Sequence, residues 1–159
     1  MSEYSPTTKY RSKPFYQTEN GEQYQGARQN KEDKYFASQW EYEVYKELLK
    51  HFPKERIVRQ LPVILIPKNH NYPAITHVID FAVLGNNIKP EFWVEAKGCA
   101  TQVYKLKLQL LNHFHPLIWR DLQIVTKSAK PKPIDSSRKR TIDLVGLSNF
   151  IVTRNHLRI

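Results

Sequence analysis

The chain has a single cysteine, no long apolar run and no glycine-rich phosphate loop. One cysteine, Cys99, excludes an intramolecular disulfide and suits a reducing cytoplasm. No apolar stretch approaches the roughly 20 residues of a membrane span, and the stretch MSEYSPTTKYRSKPF lacks the apolar segment of a secretory signal. The missing phosphate loop argues against a nucleotide-driven motor. We therefore expect a cytoplasmic protein with no membrane partner and no nucleotide cofactor.

Positive charge is unevenly distributed along the chain. Its 159 residues include 25 Lys or Arg and 15 Asp or Glu, which gives a net charge of +10. Residues 96–159 carry a net +9, residues 38–95 are neutral and residues 1–37 carry +1. A basic half beside a balanced half indicates a surface for a polyanion, with nucleic acid as the first choice and acidic lipid as the second. A soluble basic protein without such a partner is the alternative.

Hydrophobic periodicity predicts two helices. The first covers residues 38–52, where apolar side chains recur every four positions: Trp40, Val44, Leu48 and Phe52. Ser38 and Glu41 fit a capping box at its start, and Pro53 ends it. The second covers residues 101–114, with a buried apolar stripe expected at four positions: Val103, Leu106, Leu110 and Phe114.

Strand-like runs lie between these helices. Residues 56–67 are rich in β-forming side chains, and Pro62 and Pro67 mark their limits as an edge or broken strand. Residues 76–84 and 91–98 are typical of two strands joined by a turn, close enough in sequence to form a hairpin. After the second helix, LQIVT predicts a short buried strand.

The order of these elements defines the fold class. Helix, strands, hairpin, helix and strand predict an α/β protein in which a mixed β-sheet is flanked by helices. Residues 142–159 are expected to add a short helix and a last strand. Residues 1–34 are polar without a sustained period, which predicts an amino-terminal arm or loosely ordered extension. Residues 35–159 are expected to form one domain.

Two carboxylates and a lysine stand out within the predicted hairpin. Asp80 lies inside the apolar run THVIDFAVL, and Glu95 lies two residues before Lys97 in EFWVEAKG. Acids are rare in strands and costly to bury unpaired. If the strands pair, Asp80 and Glu95 converge, and they repel each other unless a cation such as Mg²⁺ or Mn²⁺ lies between them. Lys97 leaves the same face as Glu95 and can hold or deprotonate a water, or neutralise charge developing on a phosphate. Such a set suits phosphodiester hydrolysis.

A structural explanation of the same residues stays open. Asp80 and Lys97 can form an ordinary cross-strand salt bridge, or the strand ends can simply be solvated. Glu41 can supply a third carboxylate, but it also completes the capping box. His70 and His77 lie near the acids in sequence, and for both we expect a structural role rather than a catalytic one.

Together these residues resemble the PD-(D/E)xK nuclease superfamily, which has the restriction-endonuclease-like fold. The pattern is a helix glutamate, an aspartate, Glu-x-Lys on the next strand and a helix with outward polar residues. In this chain these positions are Glu41, Asp80, Glu95, Lys97 and the helix at 101–114. The dipeptide ID stands where the family usually has PD, but the proline is not a ligand. The resemblance implies a nuclease domain over residues 35–159.

A narrower similarity is to the phage-type endonuclease I, a junction-resolving enzyme. The matching stretches lie within about residues 38–128 and are SQWE, PVILIPKNHNY, DF, FWVEAKG, HP and LQIV. The family implies that Asp80 and Glu95 bind Mg²⁺ or Mn²⁺ and that the carbonyl of Ala96 adds a ligand. It implies that Lys97 positions the attacking water and that Glu41 assists or holds a second metal.

The resemblance therefore implies a metal-dependent DNA endonuclease, with branched DNA as a candidate substrate. Sequence-specific homing, transposon-end and phage DNA-end nucleases of the same fold remain alternatives, as does a nucleic-acid-binding module that does not cut. Most such nucleases cut two strands as symmetric dimers, so a homodimer is expected.

A basic loop at residues 127–140 is the expected phosphate-contacting segment. Its prolines discourage regular structure, and it is expected to become ordered on DNA. The expected DNA contacts are two lysines of the second helix and six residues of the loop: Lys105, Lys107, Lys127, Lys130, Lys132, Arg138, Lys139 and Arg140. A solvated charge run with no ligand is the alternative.

Overall fold

The computed structural model describes residues 13–128, 130, 132–134 and 139–156. These residues form seven strands, four α-helices and one short 3₁₀ helix at Lys54–Arg56. The strands are β1 (Phe15–Gln17), β2 (Gln23–Tyr24), β3 (Lys34–Phe36), β4 (Ile57–Ile66), β5 (Ile75–Leu84), β6 (Pro90–Ala96) and β7 (Leu122–Val125). The helices are α1 (Gln39–His51), α2 (Gln102–Phe114), α3 (Pro116–Asp121) and α4 (Leu144–His156). None of these described helices is long and apolar enough to cross a membrane.

The main sheet has four strands in the order β4-β5-β6-β7. Strand β5 pairs antiparallel with both β4 and β6, while β6 and β7 run parallel. The predicted hairpin is therefore confirmed, with Phe81 of β5 opposite Val94 of β6. A parallel pair needs a crossover connection, and α2 and α3 provide it between β6 and β7. The mixed sheet with flanking helices confirms the α/β class.

The helices cover both faces of this sheet. One core packs α1 and α4 against Phe92 and Val94 of β6. A second core packs α2 against β7, and Trp93 of β6 lies against it. Because successive strand residues point to opposite faces, the position of Trp93 between Phe92 and Val94 places the two cores on opposite sides of the sheet.

Strand β5 changes from one core to the other at Asp80. Ile79 belongs to the second core and Phe81 to the first. Both residues pair with β4, but Asp80 has no partner in that ladder, and opposite it Gln60 has a φ of 54°. A left-handed backbone is uncommon for a residue with a side chain and interrupts the regular strand. Strand β4 is therefore irregular at Gln60, and its pairing with β5 also shifts register between Ile64 and Ile66. Pro62 pairs regularly with Val78, and β4 tolerates it because β4 is the expected edge strand.

Helix α1 begins and ends close to where the sequence predicts. The Ser38 hydroxyl accepts a hydrogen bond from the backbone N–H of Glu41, 3.1 Å away. The other half of the predicted capping box differs, because the Glu41 carboxylate accepts from the backbone N–H of Ala37 rather than from Ser38. Val44 and Leu48 are fully buried, which confirms the face that the helix directs to the core.

Helix α2 also has the predicted extent, but the expected buried stripe is wrong. Val103, Leu106 and Phe114 are 65%, 55% and 50% exposed. The buried residues are instead Tyr104, Leu108 and Leu111. These also follow helical spacing, so periodicity alone does not choose between the two stripes. The hydroxyl of Tyr104 is buried with its ring and donates a hydrogen bond to the buried carboxylate of Glu95.

Residues 13–36 form a small sheet, order β2-β1-β3, that packs on the first core. Phe15 and Phe36 are buried in that core, and the ring of Tyr16 stacks on that of Tyr24 with 5.5 Å between centroids. The part of the expected arm from residue 13 onward is thus packed rather than loosely ordered. Residues 1–12 of the expected arm lie outside the described residues.

The carboxyl-terminal segment differs from the expectation of a short helix and a last strand. Instead of a last strand, Ile142 forms only an isolated parallel bridge beside Val125, the last residue of β7. Helix α4 then occupies Leu144–His156, and its Leu147 and Ile151 are buried in the first core. These two apolar residues are four positions apart, which is helical spacing, and α4 buries both against the sheet.

Candidate active site

A cleft of about 1380 Å³ lies where the small sheet, the start of α1 and the ends of β6 and β7 meet. Three carboxylates line it: Glu41, Asp80 and Glu95. Three lysines line it as well: Lys13, Lys97 and Lys127. Glu41 and Glu95 are buried, whereas Lys13 and Lys127 are exposed. The cleft therefore has an acidic interior and a basic rim.

Asp80 reaches the end of β6 from the middle of β5. The pairing of these strands stops at Phe81 and Val94, and beyond that point β6 pairs only with β7. There the Asp80 Oδ2 accepts a hydrogen bond from the backbone N–H of Ala96 at 2.9 Å. Ala96 lies between Glu95 and Lys97, so this bond fixes the aspartate beside both. The structure thus brings together Asp80, Glu95 and Lys97, as the predicted hairpin requires.

Glu95 is buried and held by two side chains on different elements. Its Oε1 accepts a hydrogen bond from the Nε2 of His77 on β5. Its Oε2 accepts one from the hydroxyl of Tyr104 on α2. His77 and Tyr104 are themselves buried, with ring centroids 5.9 Å apart. The carboxylate is therefore fixed in orientation by the sheet on one side and by the helix on the other.

Lys97 follows the last residue of β6 and points into the same cleft. Its backbone N–H donates to the carbonyl of Val125 at 2.8 Å, which ties it to the end of β7. Its Nζ lies 4.1 Å from the centroid of the Tyr104 ring. A cation at this distance from an aromatic face is attracted by the ring. The ammonium is therefore held next to the residue that also holds Glu95.

Glu41 is the third carboxylate of the cleft and has several donors of its own. Its Oε1 accepts from the side-chain amide of Gln60 at 2.9 Å and lies 3.5 Å from the guanidinium of Arg59. Its Oε2 accepts from the backbone N–H of Ala37. Glu41 thus joins α1 to the irregular residue of β4 that lies opposite Asp80. It holds the local structure together and also contributes negative charge to the site.

Glu41 and Glu95 are close enough to Asp80 to change its pKa. Burial, followed by the negative charges of Glu41 and Glu95, raises the pKa of Asp80 from 3.8 to about 7. The N–H of Ala96 and the ammonium of Lys97 oppose this rise. A bound cation would relieve the same repulsion, because it favours the ionised form of each carboxylate.

The carboxylate oxygens of the cleft could serve as ligands for a hard cation. Mg²⁺ is usually bound through one or two carboxylates and keeps several waters, and Asp80 and Glu95 supply oxygen ligands of that kind. The hydrogen bonds to Glu95 leave further lone pairs on its oxygens, since each carboxylate oxygen has two. The described residues contain no ready arrangement of three or more His, Cys, Asp or Glu side chains around one point. Any metal held by Asp80 and Glu95 would therefore need further ligands, such as water.

The lysines expected to contact DNA occupy different environments. Lys127 is exposed at the rim, with its Nζ 5.8 Å from the centroid of a Trp40 ring. Lys105 on α2 is half-buried and makes no side-chain hydrogen bond within the described chain. Lys107 donates to the backbone carbonyl of Thr76 at 2.9 Å and so joins α2 to β5. Lys107 thus has a structural partner, while Lys127 faces the cleft.

The described part of the basic loop is anchored to the fold. The backbone of Lys132 pairs with Thr141, and the side chain of Ile134 is buried in the second core. Lys139 packs on Trp119, 4.6 Å from the ring centroid, and donates to its carbonyl. Burial lowers the pKa of Lys139 to about 8. The basic loop residues that are exposed are Lys127, Lys130, Lys132 and Arg140, and Arg138 lies outside the described residues.

Sequence reasoning did not identify Tyr104 or Lys13 as residues of this cleft, did not identify Gln60 as a partner of Glu41, and gave His77 only a structural role. The signal for Tyr104 was the second helical stripe, in which a tyrosine accompanies two leucines. The signal for His77 was strand alternation, which directs it to the same side as the buried Ile79. Gln60 has no such signal, because no glycine marks its left-handed backbone.

Comparisons of the chain with protein-family models, with curated proteins and with solved structures give no match. The residues of the cleft and their arrangement are therefore the basis for inferring what the protein does.

Proposed function

We propose that the protein is a Mg²⁺-dependent DNA endonuclease of the PD-(D/E)xK kind, with Mn²⁺ able to replace Mg²⁺. The observation that supports this best is the meeting of Asp80, Glu95 and Lys97 in one cleft, with Asp80 bonded to the backbone between the other two. An ordinary salt bridge would leave Asp80 paired directly with Lys97. Among the described ion pairs there is none between these two residues, and their carboxylate and ammonium both line the cleft.

Each residue has a role that follows from its position. Asp80 and Glu95 would hold the metal, with the carbonyl of Ala96 as a further ligand, and the ion would supply Lewis-acid stabilisation of the phosphate. Lys97 would orient the attacking water and stabilise the negative charge that develops on the phosphate during in-line displacement. Glu41 would assist, since its charge reaches Asp80.

The size and rim of the cleft favour a polymer as the substrate. Pockets for small ligands usually measure about 300–1,000 Å³, and this cleft is larger, at about 1380 Å³. Exposed lysines at its rim suit the phosphates of a strand that extends beyond the cut site. We propose DNA as that polymer and a homodimer as the working form, because two symmetric sites cut two strands. Branched DNA, a specific duplex site and a free DNA end remain the candidate targets.

A nucleic-acid-binding protein that does not cut is the second candidate. Two observations favour it. Both oxygens of Glu95 already accept hydrogen bonds from protein side chains, and the described residues offer no ready metal cage. In that case the acidic interior would be a buried structural network and the basic rim would hold nucleic acid alone.

One assay separates the two candidates. The purified protein is incubated with supercoiled plasmid, with linear duplex and with four-way branched DNA, in Mg²⁺ or in excess chelator. A nuclease is expected to cut at least one substrate in Mg²⁺ only, and a parallel preparation of Lys97→Ala is expected to leave it intact. DNA binding without cutting in Mg²⁺ or Mn²⁺ would contradict the nuclease proposal and support the second candidate.

A further inference from the structure

The side chain of Tyr104 contacts both parts of the Glu-x-Lys sequence. Its hydroxyl donates to Glu95, and its ring face lies 4.1 Å from the Nζ of Lys97. We infer that Tyr104 is a positioning residue that fixes the acid and the lysine relative to each other. This inference rests on the proposed function and adds to it a residue that the sequence pattern does not include.

The fold holds Tyr104 in place independently of these two contacts. Its backbone N–H donates to the hydroxyl of Thr101, which caps the start of α2. The next residues on the same face, Leu108 and Leu111, are fully buried in the second core. The helix is therefore anchored to the sheet, and Tyr104 projects from a fixed backbone. Functional groups supported by such rigid elements keep their geometry better than groups on loops.

The two contacts constrain different side chains. Glu95 has its second oxygen bonded to His77, so the Tyr104 hydroxyl completes the restraint on rotation of its carboxylate. Lys97 is a long side chain with many rotamers, and the ring limits where its ammonium lies. Tyr104 therefore restricts both the orientation of the Glu95 carboxylate and the position of the Lys97 ammonium.

A positioning role for Tyr104 can be distinguished from a role in packing alone. A purely structural residue at this position needs only to fill the second core, which a phenylalanine would do equally well. The hydroxyl contributes to the site by its bond with Glu95, and the ring contributes by its contact with Lys97. Tyr104→Phe removes the first contribution and keeps the second, whereas Tyr104→Leu removes both.

The test compares these two variants with a matched control. Tyr45 is similarly buried, and its hydroxyl accepts from the side chain of Lys34, so Tyr45→Phe removes a buried tyrosine hydroxyl outside the proposed catalytic set. Three quantities are measured for every protein: Mn²⁺ affinity by calorimetry without DNA, DNA affinity in chelator, and the single-turnover cleavage rate at saturating DNA. Thermal unfolding verifies that each variant is folded.

Tyr104→Phe is expected to lose about 10- to 100-fold in Mn²⁺ affinity and cleavage rate, as is typical when a partner of a metal-binding carboxylate is removed. DNA affinity in chelator and the Tyr45→Phe control are expected to match the wild type. Tyr104→Leu is expected to cleave DNA more slowly still, with no further loss of Mn²⁺ affinity. If Tyr104→Leu does not fold, the result for Tyr104→Phe is sufficient.

If Tyr104→Phe has the same Mn²⁺ affinity and cleavage rate as the Tyr45→Phe control while the wild type cuts DNA, the positioning role is refuted and the proposed function stands. A wild type that neither binds Mn²⁺ nor cuts would refute both.

Discussion

The carboxylate of Asp80 lies 2.9 Å from the backbone nitrogen of Ala96, and this bond replaces strand pairing at the point where β5 and β6 separate. Strand β6 continues along β7, while Asp80 stays at the opening between the strands. An acid inside an apolar strand is thereby given a backbone donor, two neighbouring carboxylates and a nearby lysine. The stability and the proposed chemistry of the protein both depend on this arrangement.

Asp80→Asn is expected to stabilise the protein at high pH. Burial and the charges of Glu41 and Glu95 raise the pKa of Asp80 to about 7, whereas in the unfolded chain it ionises near 3.8. The folded protein therefore binds more protons between about pH 4 and pH 7, and its stability falls as the pH rises through that window. The variant escapes this loss, so at pH 8 it should be more stable by up to about 4 kcal/mol, with no such advantage near pH 4.

Urea unfolding at several pH values in the absence of divalent metal measures this difference. The exposed Glu32 provides a control, because Glu32→Gln removes one carboxylate away from the cleft. Its stability is expected to follow the pH dependence of the wild type. If Asp80→Asn showed the same pH dependence as the wild type, burial and the neighbouring carboxylates would not raise the pKa of Asp80.

Lys97→Ala is expected to abolish cleavage without weakening the binding of DNA. A group that orients a water or stabilises developing charge typically contributes about 10²- to 10³-fold to the rate, so the single-turnover rate should fall at least that far. Affinity for a branched duplex in chelator should stay within about a factor of two, since one phosphate contact at most is lost. Binding lost together with cleavage would instead assign Lys97 to substrate binding or to structure.

Lys127 and Lys107 are expected to differ although both were predicted to contact DNA. Lys127 is exposed at the rim, so Lys127→Ala should weaken DNA binding and reduce the slope of log affinity against log salt by about 1. Lys107 donates to the carbonyl of Thr76, so Lys107→Ala should cost about 1 kcal/mol of stability and change the salt slope less. Fluorescence anisotropy at four or five salt concentrations, with thermal unfolding alongside, separates the two. Equal salt slopes would mean that both lysines meet phosphate.

The buried face of α2 can be tested with two leucines two positions apart. Leu108 is fully buried and Leu106 is 55% exposed. Leu108→Ala should therefore lower the free energy of unfolding by about 2–5 kcal/mol, and Leu106→Ala by less than about 0.5 kcal/mol. Chemical denaturation of both variants gives the values directly. The reverse order would restore the stripe first predicted from the sequence.

The parts of the fold that could be predicted depend on local, repetitive patterns. Helix α1 and the hairpin of β5 and β6 have one clear period each, and the hairpin alone brings Asp80 close to Glu95 and Lys97. The face of α2 could not be predicted, because two stripes share helical spacing and only the acceptor at Glu95 favours the one with Tyr104. The small sheet of residues 13–36 was missed because strands of two or three residues have no measurable period.

The part of the site that could not be predicted comes from long-range contacts. Gln60 lies opposite Asp80 and donates to Glu41, which links three elements that are far apart in the sequence. The hydrogen bond between His77 and Glu95 likewise forms where β5 and β6 have separated, beyond their last pair, Phe81 and Val94. Strand alternation indicates the side of the sheet that His77 faces, but neither composition nor periodicity identifies the partner of His77 or of Gln60.

Anomalous diffraction from a crystal grown with Mn²⁺ would locate the proposed metal ion without requiring a choice of DNA substrate. We predict an anomalous peak in the cleft in contact with the carboxylates of Asp80 and Glu95, and no such peak in crystals of Asp80→Asn. A peak only elsewhere, or an empty cleft at Mn²⁺ concentrations that support cleavage, would contradict this prediction.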